Sequence, residues 1–333
     1  MSRSRLALAG LIAVVLLLVL CGRATPAPTE STQPATSVGP FTGRPLGADA
    51  LLFDSDRDGN FEIFTMRLDG GDVRKLTADA KFDSWWPRVS PDHTRVVFYR
   101  TPKGVHDTDF TQTSLWAMYV DGTGLRELRP KATDGWDQQG HAEWSADGKQ
   151  LVMFGGSRSN PQIFVSDDLG RSVRQVTDRG GTNIDPSFAP DGATIVFVGC
   201  PNAICFDKDY EIYTIPTRGG EARRLTTNQL RDHDPYYSPD SSRIAWLEQT
   251  DATGPTGVWN VLLMRADGSD QRRVTNDRNI NSKPQWSRDG SLIFFHRFEI
   301  GGDRWRIFSI RPDGTALTEV TKGAPGNNEF PSL

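Results

Sequence analysis

The chain has 333 residues, and its composition of 37% hydrophobic residues with nine Trp and 17 Phe is typical of a soluble β protein with a large core. Its formal net charge is only −4, and Lys and Arg form no basic block. We therefore set aside a nucleic-acid partner, because the basic surface that phosphate binding requires is missing.

The first 20 residues have the pattern of a secretory signal. Two arginines precede an apolar run from Leu6 to Leu20, which is shorter than the roughly 20 residues of a comfortable membrane span. Cys21 follows at once and resembles the acylated Cys of a bacterial lipoprotein. We expect an exported protein, lipidated at Cys21 and held at the extracytoplasmic face of the cell envelope, periplasmic or at the cell surface. Ordinary cleavage after Ala24 is the alternative, because Leu20 is larger than the residue usually found before a lipidated Cys.

Residues 21–46 are rich in Thr, Pro, Ser and Ala, with almost no large apolar side chains. Such a segment buries too little surface to offset its ordering entropy, so we interpret it as a tether. Its Pro content keeps a tether of this kind partly extended.

A strand-turn-strand phrase recurs along the rest of the chain. The copy from Asp185 to Phe197, DPSFAPDGATIVF, joins a short strand to a β-branched strand through a Pro-Asp-Gly turn. Successive turn aspartates lie 55, 44, 49 and 49 residues apart, at Asp92, Asp147, Asp191, Asp240 and Asp289. Each unit also has an aromatic strand, an Asp-Gly-type turn and a strand ending Arg-x-Leu/Val-Thr, as in Glu62 to Thr77. Four short antiparallel strands per repeat predict the blades of a propeller.

The two ends of the chain predict how the propeller closes. The segment Leu51 to Phe53 matches the second strand of a blade, but no inner-strand pattern comes before it. The chain ends in NNEFPSL, which matches an inner strand but is not followed by a second strand. We expect Glu329 to Leu333 to complete the first blade. The predicted fold is therefore an all-β, six-bladed β-propeller over residues 47–333, closed by pairing of its N- and C-terminal strands.

The repeat resembles that of TolB-like six-bladed propellers with WD40-like repeats, which read D-x-x-P-x-W-S-P-D-G-x-x-I-x-F, then N-x-E-I-Y-x-M-x-x-D-G, then R-L-T. The resemblance covers about residues 50–333 and implies the fold more strongly than the function. TolB proper looks like an α/β domain followed by this propeller. Here a short polar linker precedes the propeller, so the resemblance does not extend to a role in the Tol-Pal system.

Cys200 and Cys205 lie in GCPNAICF, and we predict that they form a small-loop disulfide in an oxidising compartment. Two free thiols or a metal site are the alternatives. A zinc site would require a second Cys/His pair, and the neighbouring Asp207 and Asp209 do not supply one.

The repeat also predicts where a ligand would bind. If the Pro-x-x-Ser strand is innermost, the tight turns lie on one rim and the long connections on the other, at 100–114, 155–161, 199–210, 248–258 and 297–304. Loops on a rigid scaffold usually carry binding groups, so the second rim and its funnel are the candidate site. The position before the inner-strand Pro should ring this channel mouth with Trp86, His141, Asp185, Asp234, Lys283 and Phe330.

A ring of aromatic groups and charges of both signs favours a peptide or small polar ligand over a lipid. We therefore predict a non-catalytic binding module, monomeric and without cofactor or metal, for an envelope protein, a peptide or a cell-wall glycan. The structural alternative is that Asp185 and Asp234 merely bond backbone groups where their strands begin.

Two motifs have a structural explanation as well as a functional one. Asp54, Asp56 and Asp58 begin like a calcium loop, but the twelfth position is Thr65 where a bidentate Glu is needed, so a hairpin turn is favoured. Ser166 to Val173 resembles a single sialidase Asp-box and also fits an ordinary blade turn.

The alternative function is a propeller enzyme acting on glycans, a metal-dependent lyase or hydrolase that uses the funnel. Oligogalacturonate lyases carry a His-rich metal centre on a propeller. Here His93 belongs to a tight turn on the far rim, and the other histidines look scattered because no three share a repeat position: His106, His141, His233 and His296. The chain also contains neither GxSxG nor HExxH.

Overall fold

The computed structural model describes residues 42–202, 204–252 and 257–333. All described residues belong to one compact unit, Gly39–Leu333. The predicted signal peptide at 1–20, the lipidation site Cys21 and most of the linker at 21–46 lie outside the described residues. No helix in the described ranges is long and apolar enough to cross a membrane.

The described chain is built almost entirely of short antiparallel strands. In chain order they are β1 (Ala50–Ser55), β2 (Glu62–Arg67), β3 (Arg74–Lys75), β4 (Phe82–Val89), β5 (Arg95–Pro102), β6 (Ser114–Tyr119), β7 (Arg126–Arg129), β8 (Gln138–Trp144), β9 (Gln150–Ser157), β10 (Asn160–Asp167), β11 (Arg174–Gln175), β12 (Thr182–Phe188), β13 (Thr194–Cys200), β14 (Glu211–Pro216), β15 (Arg223–Arg224), β16 (Asp232–Tyr237), β17 (Arg243–Asp251), β18 (Val258–Arg265), β19 (Arg272–Arg273), β20 (Ile280–Trp286), β21 (Ile293–Phe298), β22 (Trp305–Ile310), β23 (Thr318–Glu319) and β24 (Asn328–Ser332). Three 3-10 turns accompany them, at Phe110–Gln112, Thr133–Gly135 and Asp207–Asp209.

These strands form four-stranded meanders, each starting from an inner strand. Meander 1 is β24-β1-β2-β3, and meanders 2, 3 and 4 are β4 to β7, β8 to β11 and β12 to β15. Each of these four is a sheet of its own. Meanders 5 (β16 to β19) and 6 (β20 to β23) share one eight-stranded sheet, because the single parallel pair Trp259 and Ile280 joins β18 to β20. Strand pairing thus separates four blades and leaves the last two predicted blades joined.

The hydrophobic core is divided among the faces between successive meanders. Six apolar clusters each combine residues of neighbouring meanders, two meanders in five of them and three in the cluster that includes Phe330. One of them joins Phe294 and Ile307 of meander 6 to Leu51 and Phe53 of meander 1. Sheets stacked face to face around a closed circle form a propeller, so the predicted all-β propeller fold is confirmed.

The ring is closed by the two ends of the described chain, as predicted. β24 pairs antiparallel with β1, placing Glu329 opposite Asp54 and Ser332 opposite Leu52. Asp56 reinforces this pairing by accepting hydrogen bonds from the backbone and the side-chain amide of Asn327, both at 2.7 Å.

Two repeated motifs have clear structural roles. The Thr that ends the Arg-x-Leu/Val-Thr phrase accepts a hydrogen bond from the third strand, as Thr77 does from the Ile63 N–H at 2.8 Å. In four of the five copies the turn aspartate accepts a hydrogen bond from the Ser two residues before it, as Asp147 Oδ1 does from Ser145 Oγ at 2.6 Å. Both therefore fix the outer edge and the tight turn of a meander rather than a binding site.

The connections differ from prediction in one place. The segment 155–161 was expected to be a long connection, but β9 and β10 continue into it and leave only a tight turn around Arg158 and Ser159. The predicted long connection after β13 is present, and a disulfide between Cys200 and Cys205, whose Cα atoms are 6.1 Å apart, constrains it.

Candidate functional site: a charged ring at the channel mouth

Every inner strand has a bulge at the same repeat position. In β8, for example, the pairing register shifts between Gly140 and Glu143. The residue before the Pro position adopts a left-handed conformation in each strand, with φ between 49° and 56°: Trp86, His141, Asp185, Asp234, Lys283 and Phe330. Non-glycine residues adopt this conformation at a cost, so a bulge repeated around the ring is a built feature that re-aims these side chains.

The charged members of the ring neutralise one another. Asp185 bonds two histidines, with His141 Nδ1 at Oδ1 and His233 Nδ1 at Oδ2, the latter at 2.8 Å. Lys283 Nζ donates to Asp234 Oδ1 at 2.6 Å. All of these except His233 are buried. Asp185 and Asp234 therefore bind side chains of neighbouring meanders. The structural alternative, in which they bond only backbone groups where their strands begin, does not describe these contacts.

The pKa values follow from burial and from these contacts. Burial alone would raise the pKa of Asp185, but His141, Lys283 and His233 outweigh it and hold that pKa well below its usual range. Burial disfavours the charged forms of His141 and Lys283. The neighbouring carboxylates nevertheless raise the pKa of both, through Asp185 for His141 and Asp234 for Lys283. The mouth is thus a network of fixed charges.

The aromatic half of the ring is buried. Trp86 and Phe330 are each 1% exposed, and Trp86 stacks on His141 with ring centroids 4.0 Å apart. Lys283 Nζ lies 4.6 Å from the Trp86 ring, a cation–π distance. Trp86 thus contributes to the floor of the mouth, since its ring is covered by protein groups rather than open to a ligand.

The aromatic half of the mouth is covered by the connection between β5 and β6, residues 103–113, which we call the strap. His106 of the strap stacks on Phe61 of the neighbouring meander at 3.6 Å, and Phe110 packs edge-on to His141 at 5.2 Å. A Cβ on Gly140 would lie 2.7 Å from the Phe110 ring, so only glycine leaves room for it there. The strap therefore closes one half of the mouth and leaves the other half open.

The open half contains a funnel formed by two adjoining cavities of about 380 Å³ and 240 Å³. Asp107, Arg231, His233 and Lys283 line both. The larger cavity also contacts Arg158, at the turn between β9 and β10, and Tyr210, before β14. These connections belong to the rim that the sequence predicted.

A second layer lies next to the ring. Arg88, 2% exposed, pairs with Glu143 and donates to the Tyr236 hydroxyl at 3.2 Å, while that hydroxyl donates to Glu143 at 2.9 Å. The guanidinium also lies 4.1 Å from the Trp86 ring. This layer fills the channel beside the ring with paired groups and supports its aromatic half.

The structure brings all six predicted ring residues together, and His141, Asp185, Asp234 and Lys283 face the funnel. The view of the histidines as scattered is wrong for their positions in space. His141 and His233 share Asp185, His296 Nδ1 accepts the Phe330 N–H at 3.0 Å, and His106 lies 5.6 Å from the Phe330 ring. Long connections and strand bulges bring these histidines together. An alignment of repeat positions shows neither the path of a connection nor the position of a bulge.

Sequence reasoning also missed Asp107 and Arg231. Asp107 lies on a predicted long connection and Arg231 precedes an inner strand. Both positions belong to the predicted funnel rim, so the sequence could have identified these residues as candidates for the site. The calcium-like motif does not form a cluster. Asp54 accepts the Trp86 N–H at 3.0 Å, Asp56 bonds Asn327, and Asp58 pairs with Lys75 at 3.0 Å.

One group of described residues has the spacing of a metal site. Donor atoms of His141, Asp185 and Asp234 all lie within 4.8 Å of one another. The Lys283 ammonium already bonds Asp234, however, and Asp185 already bonds two histidines. Internal cations thus use the donors that a metal ion would need, so the residues fit a metal poorly.

Comparisons with known proteins agree with this architecture. The family model described as the TolB beta propeller domain matches residues 123–254. A Protein TolB homolog of Chlorobium luteolum is 29% identical over 153 residues, 44% of this chain and 31% of that protein. The homolog of Chlorobium chlorochromatii is 25% identical over 151 residues, 44% of this chain and 30% of that protein. The match spans less than a third of these relatives.

Solved structures show the same fold at low identity. TolB from Acinetobacter baumannii has a TM-score of 0.66 and 16% identity, covering 86% of this chain and 67% of that one. An oligogalacturonate lyase in complex with manganese has a TM-score of 0.56 and 15% identity, covering 81% and 73%. Identities this low show the fold alone. The chain therefore has a β-propeller fold that is similar to that of TolB.

Proposed function

We propose that this protein is an exported, non-catalytic binding module of the bacterial cell envelope that takes a polypeptide partner at its funnel. The observation that carries the proposal is the ring, where strained, buried residues from four inner strands line the open funnel: His141, Asp185, Asp234 and Lys283. Binding sites are usually preformed concave surfaces with a few convergent polar groups. The likeness to TolB homologs supports a protein partner.

The direction from which the chain enters the propeller supports the same site. The Leu46 N–H donates to the His93 carbonyl at 2.8 Å, on the rim of the tight turns. Leu46, the last residue of the predicted tether, therefore lies on the rim opposite the funnel.

Site-specific photo-cross-linking in the intact envelope tests this proposal. Arg158 and Lys149 flank the two ends of β9, so a photoreactive residue at Arg158 reports on the funnel rim and one at Lys149 on the tight-turn rim. Both side chains are exposed. We expect a discrete protein adduct from position 158 and none from position 149. Adducts from position 149 alone would place the partner on the other rim and contradict the proposal.

The second candidate is a metal-dependent lyase or hydrolase acting on glycans. The spacing of His141, Asp185 and Asp234 and the likeness to an oligogalacturonate lyase favour it. Metal analysis of the purified protein separates the two functions. Stoichiometric transition metal that is lost in His141→Ala or His233→Ala would support the enzyme, whereas the proposed binding module requires none.

A further inference from the structure

We propose that Arg288 and His93 form a second binding site, on the tight-turn rim, that receives a phosphate group. The site lies opposite the funnel, so the inference goes beyond the proposed function and does not depend on it. Three features of the described residues support it: a guanidinium edge without an acceptor, a second unpaired donor near it, and the departure of both residues from the repeat.

The guanidinium of Arg288, in the tight turn between β20 and β21, turns one edge into the protein. Its Nε and Nη2 are both buried and have no acceptor among the described residues. These two nitrogens form the edge that binds two oxygens of a carboxylate or phosphate side by side. Arg74 uses the same edge to bond both carboxylate oxygens of Asp72. Buried donors are nearly always paired, so the unpaired edge of Arg288 indicates an acceptor that a ligand supplies.

No carboxylate in the described part of the chain neutralises Arg288. Burial lowers the pKa of its guanidinium, and no neighbouring charge opposes that effect. Asp289 follows it directly but is used within its own turn, where both carboxylate oxygens accept the Ser291 hydroxyl, at 2.8 and 2.9 Å. The positive charge of Arg288 is therefore available to an anion from outside.

His93 brings a second unpaired donor near Arg288. Its Nδ1 is buried and has no partner among the residues that the structure describes. Burial and the positive charge of Arg288 lower the pKa of His93 against the opposing effect of Asp92, and a charge acts in this way only from nearby. A neutral imidazole can carry its proton on Nδ1 and donate it. Both side chains keep some exposed surface, which gives a small anion access to them.

The number of donors favours a phosphate over a carboxylate. The edge of Arg288 bonds two oxygens, which are all that a carboxylate has. A phosphate monoester has three free oxygens and leaves one for His93. The two residues belong to meanders 6 and 2, which both pack against meander 1, so their turns lie on either side of β24.

The turns themselves require neither side chain. The other copies of the repeat have Pro or Ala at the position of Arg288 and Gly or Ser at that of His93: Pro91, Ala146, Pro190 and Pro239, and Gly148, Gly192, Ser241 and Gly290. His93 adopts a left-handed conformation with φ of 57°, which costs free energy in a residue with a Cβ. An unpaired cation and a strained histidine thus stand where the fold accepts simpler residues, as expected of residues that bind a ligand.

Calorimetric titration of the purified full-length protein, in chloride buffer of constant ionic strength, tests the site. The probes are inorganic phosphate, dihexanoyl phosphatidic acid below its micelle concentration, and acetate. We expect phosphate or the lipid to bind more tightly than acetate, and Arg288→Ala to weaken that binding at least about tenfold. The matched control is Arg243→Ala on the same rim, whose guanidinium already pairs with Asp270 at 3.4 Å and should matter little.

Thermal unfolding separates a binding role from a structural one. Without phosphate, Arg288→Ala should melt no lower than the wild type, because it restores a residue that another copy carries and removes two unpaired buried donors. Phosphate should raise the melting temperature of the wild type but not that of Arg288→Ala. His93→Gly should likewise reduce the shift without lowering the melting temperature in chloride.

Each outcome supports or overturns the inference. Tighter binding of inorganic phosphate identifies a free anion as the ligand, and tighter binding of phosphatidic acid identifies a lipid headgroup; both support the site. The inference is overturned if neither binds, if acetate binds more tightly, or if Arg243→Ala weakens binding as much as Arg288→Ala does. A lower melting temperature of Arg288→Ala in chloride would assign Arg288 a structural role and overturn it as well.

Discussion

Lys283 is the residue on which the charge balance of the channel mouth depends. Its ammonium bonds Asp234 and contacts the Trp86 ring, and the carboxylates around it offset the cost of burying its charge. Asp234 and Asp107 lower its ionisation cost, and in return Lys283 helps to keep the pKa of Asp185 low. One buried side chain therefore links meanders 2, 4, 5 and 6.

Replacing Lys283 with Met should destabilise the protein by about 3–5 kcal/mol, because it leaves the buried Asp234 without its cation. Urea denaturation at neutral pH measures the change. The matched control is Lys75→Met, whose pair with Asp58 has side chains 30% and 49% exposed and should contribute less than about 1 kcal/mol. Adding Asp234→Asn to Lys283→Met should recover part of the loss. Equal effects of the two Lys substitutions would contradict this account.

The sequence predicted which residues share the mouth but not how they are arranged. The repeat places the residue before each inner Pro at one level, and this is enough to name Asp185 and Lys283 together. The bulges that turn them inward depend on backbone conformation, which an alternating strand pattern does not encode. The sequence named His233 only as one of the scattered histidines, because its partner Asp185 comes from another repeat.

Two elements meet at the aromatic half of the mouth, the strap and the closing strand β24. His106 of the strap lies 3.7 Å from Asp54, which pairs in register with Glu329 of β24. Repeat patterns predicted β24 because it matches the other inner strands. They could not predict the path of the strap, since a connection has no periodicity and its course is set by tertiary contacts such as His106 on Phe61.

Stability should fall as the pH rises from 6.5 to 9, owing to these two elements. Burial opposes the charged form of His106, but Asp54 outweighs it and raises the pKa to about 9, so its stabilisation is complete below 6.5 and lost through about 9. Burial raises the pKa of Glu329 from 4.5 to about 8, so its ionisation increasingly opposes folding through that range. Both effects have the same sign.

Thermal unfolding at a series of pH values measures this dependence. Glu329→Gln should flatten it, because the amide has no proton to lose, and Glu319→Gln on the outer strand β23 is the control. A wild-type protein that becomes more stable between pH 6.5 and 9 would show that other groups control the pH dependence.

At the scale of the whole molecule, each sheet of the propeller buries its apolar faces only by packing against its neighbours. Each apolar cluster is shared by at least two meanders, so no meander has a core of its own. Closing the circle removes exposed sheet edges and the apolar faces beside them. The periodicity of about 50 residues made this architecture predictable, since a repeat that cannot bury its own faces must stack on its neighbours.

Deleting residues 327–333 should therefore destabilise the entire propeller and not only its first meander. The deletion removes β24, the bonds from Asn327 to Asp56, and the Ser332 hydroxyl that accepts the Val89 N–H at 3.1 Å. It also leaves the inner edge of β1 unpaired beside the channel. We expect a lower melting temperature with a broadened transition, while Lys322→Ala, an exposed change just before the strand, leaves it unchanged. An unchanged melting temperature in the truncated protein would mean that closure by β24 does not hold the ring together.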